Sequence, residues 1–197
     1  QTNVLYYAGG LAGFIFGDAL LDNTSASGNV TSAYNADPMF AIRLNHAATG
    51  GLVGKILGAV EVTLNTQGED PIPRIKVMNA EIKNSHASGT VYSNNISGGL
   101  IGSLAGMTNV SKSYATGTVT GNVAGGFLGA TASSVLDVLN LIGEINVENT
   151  YSTGNVFVRA KSDMLTVGGG YLGMGVFVGE LNIKNSYSSG AVRVENN

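Results

Sequence analysis

The octapeptide Asn185-Ser186-Tyr187-Ser188-Ser189-Gly190-Ala191-Val192 is the clearest copy of a stretch that occurs five times in this chain. Earlier copies occupy 23–30, 84–91, 113–119 and 149–156. An apolar residue shortly precedes each copy, at Leu21, Ile82, Val110, Val147 and Ile183. Repetition on this scale is typical of solenoids, in which each repeat forms one unit stacked on its neighbours.

A second block, Gly-Gly-(Leu/Phe/Tyr)-aliphatic-Gly, precedes each copy of the octapeptide. Its five copies are at 9–13, 50–54, 98–102, 125–129 and 169–173. We therefore treat 1–197 as a single repeat domain with repeat blocks at about 9–30, 50–91, 98–119, 125–156 and 169–192. The shortest spacing between Gly-Gly pairs, from Gly98 to Gly125, is 27 residues, which suits one coil of three short strands. Insertions at about 31–48, 55–77, 130–142 and 157–167 lengthen the other coils.

The composition favours strands joined by tight turns. Only 12% of the residues are charged and 29 are glycine, whereas an average protein has roughly 25% charged residues. A helical bundle needs a more charged surface, and a disordered chain is less apolar than this one. The sequence thus predicts an all-β solenoid of about five coils with loop and hairpin insertions. The hairpin is expected from 59–64 and 75–77, and one short helix from the apolar face of 133–142.

Stacking predicts columns of equivalent residues, because successive coils of a solenoid lie about 4.8 Å apart. Two apolar columns are expected in the core: Leu11, Leu52, Leu100, Phe127 and Tyr171, and Val30, Val91, Val119, Val156 and Val192. An amide ladder is expected at Asn23, Asn84, Asn149 and Asn185, interrupted by Lys112. A further column holds Ser25, His86, Tyr114, Tyr151 and Tyr187, whose three tyrosine rings are expected to stack.

The charges and the cysteine count exclude several classes of function. The net charge is −3, and the ten basic residues are scattered, so there is no track for nucleic acid. No apolar run reaches the ~18 residues of a membrane span, so we expect a protein that is not membrane-embedded. The absence of cysteine excludes disulfides and thiol nucleophiles. Because Gln1 is not an initiator methionine and no signal peptide is visible, we expect a processed product or a fragment.

Motifs of catalysis are weak. The segment 168–173 fits G-x-G-x-x-G, but a dinucleotide site needs a helix after it, and another repeat follows instead. Neither His46 nor His86 belongs to a zinc-peptidase motif. Carbohydrate-active β-helix enzymes gather carboxylates on one face, and the candidates near the repeat blocks are Asp18, Asp22, Glu144, Glu148 and Glu180. We predict no catalytic, cofactor-binding or metal-binding residues.

Together the two blocks resemble the GLUG-motif repeat, which reads Gly-Gly-Leu-Val-Gly, a short spacer and Asn-Ser-Tyr-Ala-Thr-Gly-x-Val. Residues 98–119 match almost throughout, and the resemblance covers most of the chain in five copies. The family occurs in bacterial surface and secreted proteins, including filamentous-haemagglutinin-like adhesins and non-catalytic regions of immunoglobulin A-cleaving metallopeptidases. The resemblance implies a right-handed parallel β-helix and an extracellular or cell-surface location, and it carries no catalytic residues.

Three functions remain open at this point. The leading hypothesis is a non-enzymatic structural or adhesive module whose insertions bind a host surface protein or glycan. The second is a filament subunit that binds further copies of itself, because uncapped coils expose sheet edges that pair readily. The third is a carbohydrate-active β-helix enzyme, which would need several carboxylates converging in a groove.

Overall fold

The computed structural model describes residues 6–33, 47–65, 72–131, 143–160, 166–175 and 180–196. Over these residues the chain is all β, and five coils each contribute one strand to five parallel sheets. The prediction of three strands per coil is wrong. Each coil has five shorter strands, because the Gly-Gly pair and the turns around the octapeptide interrupt them.

The sheets are numbered in the order in which the chain visits them. Sheet 1 consists of β1 (Tyr6–Gly9), β6 (Ala47–Gly50), β13 (Ile96–Gly98), β18 (Val123–Gly125) and β23 (Val167–Gly169). Sheet 2 consists of β2 (Ala12–Phe16), β7 (Val53–Leu57), β14 (Ile101–Ala105), β19 (Leu128–Thr131) and β24 (Leu172–Gly175). Sheet 3 consists of β3 (Ala19–Asp22), β10 (Ala80–Lys83), β15 (Thr108–Ser111), β20 (Glu144–Glu148) and β25 (Glu180–Lys184).

The remaining strands form two more sheets and one hairpin. Sheet 4 consists of β4 (Ser25–Ala26), β11 (His86–Ala87), β16 (Tyr114–Ala115), β21 (Tyr151–Ser152) and β26 (Tyr187–Ser188). Sheet 5 consists of β5 (Val30–Ser32), β12 (Val91–Ser93), β17 (Val119–Gly121), β22 (Val156–Ala160) and β27 (Val192–Asn196). The strands β8 (Ala59–Asn65) and β9 (Ile72–Met78) pair antiparallel outside these sheets.

The five copies of the repeat lie in register, as the sequence predicts. The apolar residue before each octapeptide occupies one column of sheet 3: Leu21, Ile82, Val110, Val147 and Ile183. The chain is therefore a parallel β-helix of five coils. The right-handed sense of the coil stays a prediction.

Glycine in the Gly-Gly block is required by the close approach of sheets 1 and 2. A Cβ atom at Gly98 would lie 1.8 Å from the carbonyl oxygen of Ile101. One at Gly102 would lie 2.5 Å from the carbonyl oxygen of Gly54 and 2.7 Å from the amide nitrogen of Thr49. Since no side chain fits in these gaps, the spacing of the glycines lets the two backbones fold directly against each other.

The apolar columns form the core in the inner coils. Leu52, Leu100 and Phe127 are fully buried, and Phe127 stacks on Tyr171 with ring centroids 5.0 Å apart. One outermost member of each column differs from the prediction: Leu11 is 49% exposed and Val192 is 43% exposed, whereas Val30 is buried. Leu11 and Val192 each belong to an outer coil whose strands, among the described residues, pair with another coil on one side only.

The expected amide ladder at the turns is wrong, and the backbone gives the reason. Asn23, Asn84, Lys112, Asn149 and Asn185 all have a positive φ, between 47° and 55°. Asparagine tolerates this left-handed conformation better than most residues. Asparagine therefore recurs in this column because of the backbone conformation that the turn requires. Lys112 adopts the same φ at the same position. The Asn84 amide donates to the Asp22 carboxylate at 2.9 Å.

The insertions differ in how far the structure describes them. The predicted hairpin is confirmed, but residues 55–57 belong to β7, and the hairpin begins after Gly58. Gly58 lies directly against Gly106 of the next coil. Residues 157–160 likewise continue β22. The helix expected over 133–142 and most of the insertion at 31–48 lie outside the described residues.

We expect Gly117→Ala to destabilise the protein by about 1–3 kcal/mol or more, because its Cβ atom would lie 1.9 Å from the carbonyl oxygen of Gly89. Gly28 is the matched control in the same column, since a Cβ atom there meets nothing within 4 Å. Urea unfolding at low protein concentration should show Gly28→Ala to be neutral or slightly stabilising. Equal losses of stability in the two variants would contradict the stacking of glycine on glycine.

We expect Lys112→Asn to stabilise the protein by about 0.5–1 kcal/mol, because asparagine adopts a positive φ at a smaller cost than lysine. The comparison variant is Lys112→Ala, which also removes the positive charge. Alanine does not share asparagine's tolerance of a positive φ, so this variant should give no gain in stability. Thermal unfolding of the three proteins measures the difference. A gain in both variants would assign the effect to the charge.

Candidate functional site

The outer surface of the β-helix is organised in columns, and the most regular column is aromatic. Sheet 4 places His86, Tyr114, Tyr151 and Tyr187 one above another, as predicted. The ring centroids are 4.7, 4.9 and 5.3 Å apart, and neighbouring planes are inclined by 9° or less. Ser25 takes the same position in the first coil. Each two-residue strand turns this ring outward and the next side chain into the core.

The stacking decides what the aromatic column can bind. The faces of the inner rings are covered by their neighbours, so only ring edges and phenol hydroxyls reach solvent. A sugar that stacks on an aromatic face therefore cannot use Tyr114 or Tyr151. The outward face of Tyr187, which is 58% exposed, is open. Partial burial raises the pKa of the Tyr151 phenol, and the neighbouring phenols of Tyr114 and Tyr187 add to the rise.

A column of hydroxyl groups lies just inside the corner that precedes the aromatic rings. The Thr24 hydroxyl donates to the Ser85 hydroxyl at 3.0 Å, and the Ser85 hydroxyl donates to the Lys83 carbonyl at 2.7 Å. In the fourth and fifth coils the Thr150 and Ser186 hydroxyls lie 2.9 Å apart. These partly buried hydroxyls satisfy one another along the helix axis, which fixes the corner.

The Tyr171 phenol belongs to the same network. Its hydroxyl is hydrogen-bonded to the Thr150 hydroxyl. Burial raises the pKa of Tyr171, while its hydrogen bonds to Thr150 and Ser186 oppose that rise. The ring itself continues the core column beside Phe127. The phenol is thus a structural group that closes the inner end of the hydroxyl column.

The amide ladder expected at the turns occurs instead on the outer face of sheet 3. The Asn182 amide donates to the Asn146 side-chain oxygen at 3.0 Å, and the Asn146 amide donates to the Asn109 side-chain oxygen at 3.1 Å. The same amides also donate to the carboxylates of Glu180 and Glu144, at 3.1 and 2.9 Å. The ladder therefore combines amides and carboxylates on one polar face.

A shallow groove of about 290 Å³ interrupts this polar face at the third coil. It is lined by Glu81, Asn109, Val110, Ser111, Asn146 and Glu148. The groove arises because Ser111 is the smallest member of its column, with Lys83 in the coil before it and Glu148 in the coil after it. Two carboxylates at its rim favour hydrogen-bond donors or cations as contacts. The sequence indicates this groove, because the short side chain of Ser111 aligns with the long side chains of Lys83 and Glu148.

The five carboxylates considered as an enzyme site do not converge. Asp18 and Asp22 lie in the first coil, whereas Glu144 and Glu148 lie in the fourth. Three coils separate the two groups by about 14 Å, which exceeds the roughly 5–9.5 Å between the carboxylates of glycosidases. Glu144 and Glu180 are direct neighbours across two strands, as expected. Both lie on the open face of sheet 3.

The first-coil carboxylates are held by nearby donors. The Lys76 ammonium lies 2.8 Å from the Asp18 carboxylate, and the Asn79 backbone N–H donates to that carboxylate at 2.9 Å. The hydrogen bond from Lys76, followed by that from Asn79, lowers the pKa of Asp18. Asp22 accepts the Asn84 amide, and the Lys83 ammonium is 3.8 Å away. Their contacts are those of structural anions.

The other candidate motifs take structural positions. His86 stacks on Tyr114, and His46 lies outside the described residues. The G-x-G-x-x-G match at 168–173 runs from β23 into β24, so a strand stands where a nucleotide site has a helix. Within the described ranges, no three histidine, aspartate or glutamate residues are placed to hold a metal ion. That part of the chain also contains no helix long and apolar enough to cross a bilayer.

Lys55 is a buried charged residue that the sequence reasoning missed, because 55 was assigned to an insertion. Its residue is only 3% exposed in β7, and its ammonium lies 5.3 Å from the centre of the Tyr7 ring. Burial raises the pKa of the Tyr7 phenol to about 12. The column that contains Lys55 also contains Phe14 and Ser103, and this alignment was the available signal.

Comparison with known proteins agrees with the repeat. The family model described as the GLUG motif matches residues 5–31 and 93–120. These two segments correspond to the first and third coils, which carry the repeat without an insertion inside them. Searches of curated proteins and of solved structures gave no match.

We expect Tyr114→Ser to lower the free energy of unfolding by about 1–3 kcal/mol, because it removes ring contacts on both sides. Serine is the natural occupant of the column in the first coil, so the backbone accepts it. Tyr187→Ser removes one stacked contact and should cost about half as much. Urea unfolding compares the two, and a larger loss at Tyr187 would contradict the stacking account.

Proposed function

Because the chain is a GLUG-repeat β-helix, we propose that it is a non-enzymatic structural and adhesive module of a bacterial cell-surface or secreted protein. In this role it is a rigid scaffold that presents binding loops to a host surface protein or glycan. The observation that carries the proposal is the register of the five coils, which holds in all five sheets. Because the coils share one register, the scaffold holds the loops that project from it in fixed positions.

The interior of the coils supports a rigid scaffold. The largest apolar cluster is continuous from the second coil to the fourth, and it contains Leu52, Leu100 and Phe127. Two smaller clusters fill the remaining space between the sheets. With apolar columns inside and backbone ladders along the axis, bending the rod means breaking contacts in several sheets at once.

The hairpin formed by β8 and β9 supports the presentation of loops. In the third coil, Gly106 and Met107 connect β14 directly to β15. In the second coil the hairpin stands between Gly58 and Asn79, and the register resumes unchanged at Ala80. The coil therefore does not need the hairpin for its own pairing. An ion pair from Lys76 to Asp18 holds the base of the hairpin against the first coil.

The charge pattern favours binding over catalysis. The candidate carboxylates lie in the first, fourth and fifth coils, and Asp18, Asp22, Glu144 and Glu180 are engaged by amides or by lysine. A hydrolase needs an acid and a second carboxylate on either side of a bound sugar. Glu144 and Glu180 are direct neighbours, but they lie side by side in one column of sheet 3. The family resemblance supports an extracellular or cell-surface setting, because GLUG repeats occur in bacterial proteins of that kind.

Excision of residues 59–78, which joins Gly58 to Asn79, tests the proposal. The shortened coil has the same connection as the third coil, so we expect circular dichroism and the melting temperature to remain close to those of the parent. We expect the parent to bind on arrays of host glycans and host extracellular proteins, and the excised variant to lose that binding at least tenfold.

The matched control is Thr116→Ser, an exposed substitution in the uninserted third coil, which should leave array binding unchanged. Binding that survives the excision undiminished would overturn the role of the hairpin. A parent that cleaves an arrayed glycan, with the cleavage lost in Glu144→Gln, would overturn the non-enzymatic assignment.

A further inference from the structure

We infer that the outer edge of the first coil is a docking surface for the outer edge of the fifth coil of a second copy, so that copies join head to tail as one continuous β-helix. The occupant is a second copy of this chain, and the contact is the stacking that already joins its five coils. The inference rests on the fold and is independent of the proposed binding function.

The glycine of the octapeptide provides the first observation. A Cβ atom at Gly89, Gly117, Gly154 or Gly190 would lie 1.9–2.0 Å from the carbonyl oxygen of the glycine one coil earlier. Gly28 is the first member of this column, and a Cβ atom there meets nothing within 4 Å. Its φ is not in the left-handed region. Nothing within the described chain requires glycine at 28, whereas a docked Gly190 carbonyl would require it.

The opposite edge shows the reciprocal pattern in the Gly-Gly block. A Cβ atom at Gly10, Gly51, Gly99 or Gly126 would lie 1.9–2.4 Å from the carbonyl oxygen of the glycine one coil later. Gly170 is the last member of this column and approaches no such carbonyl. In a head-to-tail contact, Gly10 of the second copy supplies it. Each edge thus has a glycine that lacks the contact made by its equivalents in the other coils. The opposite edge of a second copy would supply that contact.

Side chains at the two edges are also complementary. The first coil exposes Leu11, Phe14 and Phe16, and the fifth coil exposes Tyr187 and Val192. Burial of such apolar surface favours association. The open face of Tyr187 would be covered by Ser25 of the second copy, which continues the column that the rings form within the chain.

One charged column adds a specific pairing. Asp22 and Lys184 are the outermost members of the column that also contains Lys83, Ser111 and Glu148. Continued stacking would place Lys184 about 4.8 Å along the axis from Asp22 of the second copy. Four residues earlier, the column of Glu144 and Glu180 would bring Asp18 near Glu180. That repulsion is limited, because Asp18 pairs with Lys76 and Glu180 accepts the Asn182 amide.

Head-to-tail contacts do not close, so they generate an open fibre whose length grows with concentration. Light scattering and sedimentation of the 197-residue chain measure this directly. We expect the mass of the parent to rise with concentration, and Gly28→Ala to remain a monomer with an unchanged monomer melting temperature. Ser27→Ala is the matched control: it alters the adjacent exposed residue without adding a Cβ atom, and should assemble like the parent.

A charge exchange identifies the register. Asp22→Lys places lysine against Lys184, and Lys184→Asp places aspartate against Asp22, so each variant alone should associate about threefold or more weakly. An equimolar mixture restores an opposite pair at every contact and should recover parental assembly. A parent that stays monomeric up to its solubility limit would overturn the inference. So would assembly that Gly28→Ala leaves unchanged, or a closed dimer.

Discussion

Contact between glycine backbones is the constraint on which the rest of the structure depends. At Gly102 the backbone of sheet 2 touches that of sheet 1, and at Gly117 one coil touches the next, with no room for a Cβ atom in either place. A coil displaced by one residue would bring a side chain into such a gap and turn its apolar residues to solvent. The register is therefore specified by the exclusion of side chains from these gaps as well as by apolar burial. The register in turn determines every side-chain column.

The columns that the sequence predicted correctly are those in which one residue type recurs. The tyrosine stack and the apolar column through Val110 needed only the repeat and the spacing of coils. The prediction failed where the backbone makes the selection. Asparagine recurs at the turn because φ is positive there, and the occurrence of Lys112 in the same column was the sign that side-chain amide bonding was not the cause. Lys55 was missed because residue 55 was assigned to an insertion, although the repeat aligns it with Phe14 and Ser103.

The division between coil and addition explains how such a fold acquires functions. The glycine, apolar and hydroxyl residues of each coil take part in the stacking, so few of them can be substituted. The side chains of the outer columns and the connections between strands are less constrained by that stacking and can vary. Ser111 opens a groove in sheet 3, and the hairpin after Gly58 leaves without disturbing the next strand. In the described coils, regular stacking also leaves N–H and C=O groups at the outer edges, and such edges are templates for pairing with another chain.

Engineered disulfides test the central claim, which is the register of the coils, most directly. The chain has no cysteine of its own, and Ser88, Thr116 and Thr153 are exposed members of one column in successive coils. Adjacent coils place Cα atoms about 4.8 Å apart, within the range of a disulfide, whereas two coils place them about 10 Å apart. Mass spectrometry after mild oxidation should show an intramolecular bond in the Ser88→Cys, Thr116→Cys variant and none in the Ser88→Cys, Thr153→Cys variant. Equal bond formation in both variants, or a bond only in the second, would contradict the register.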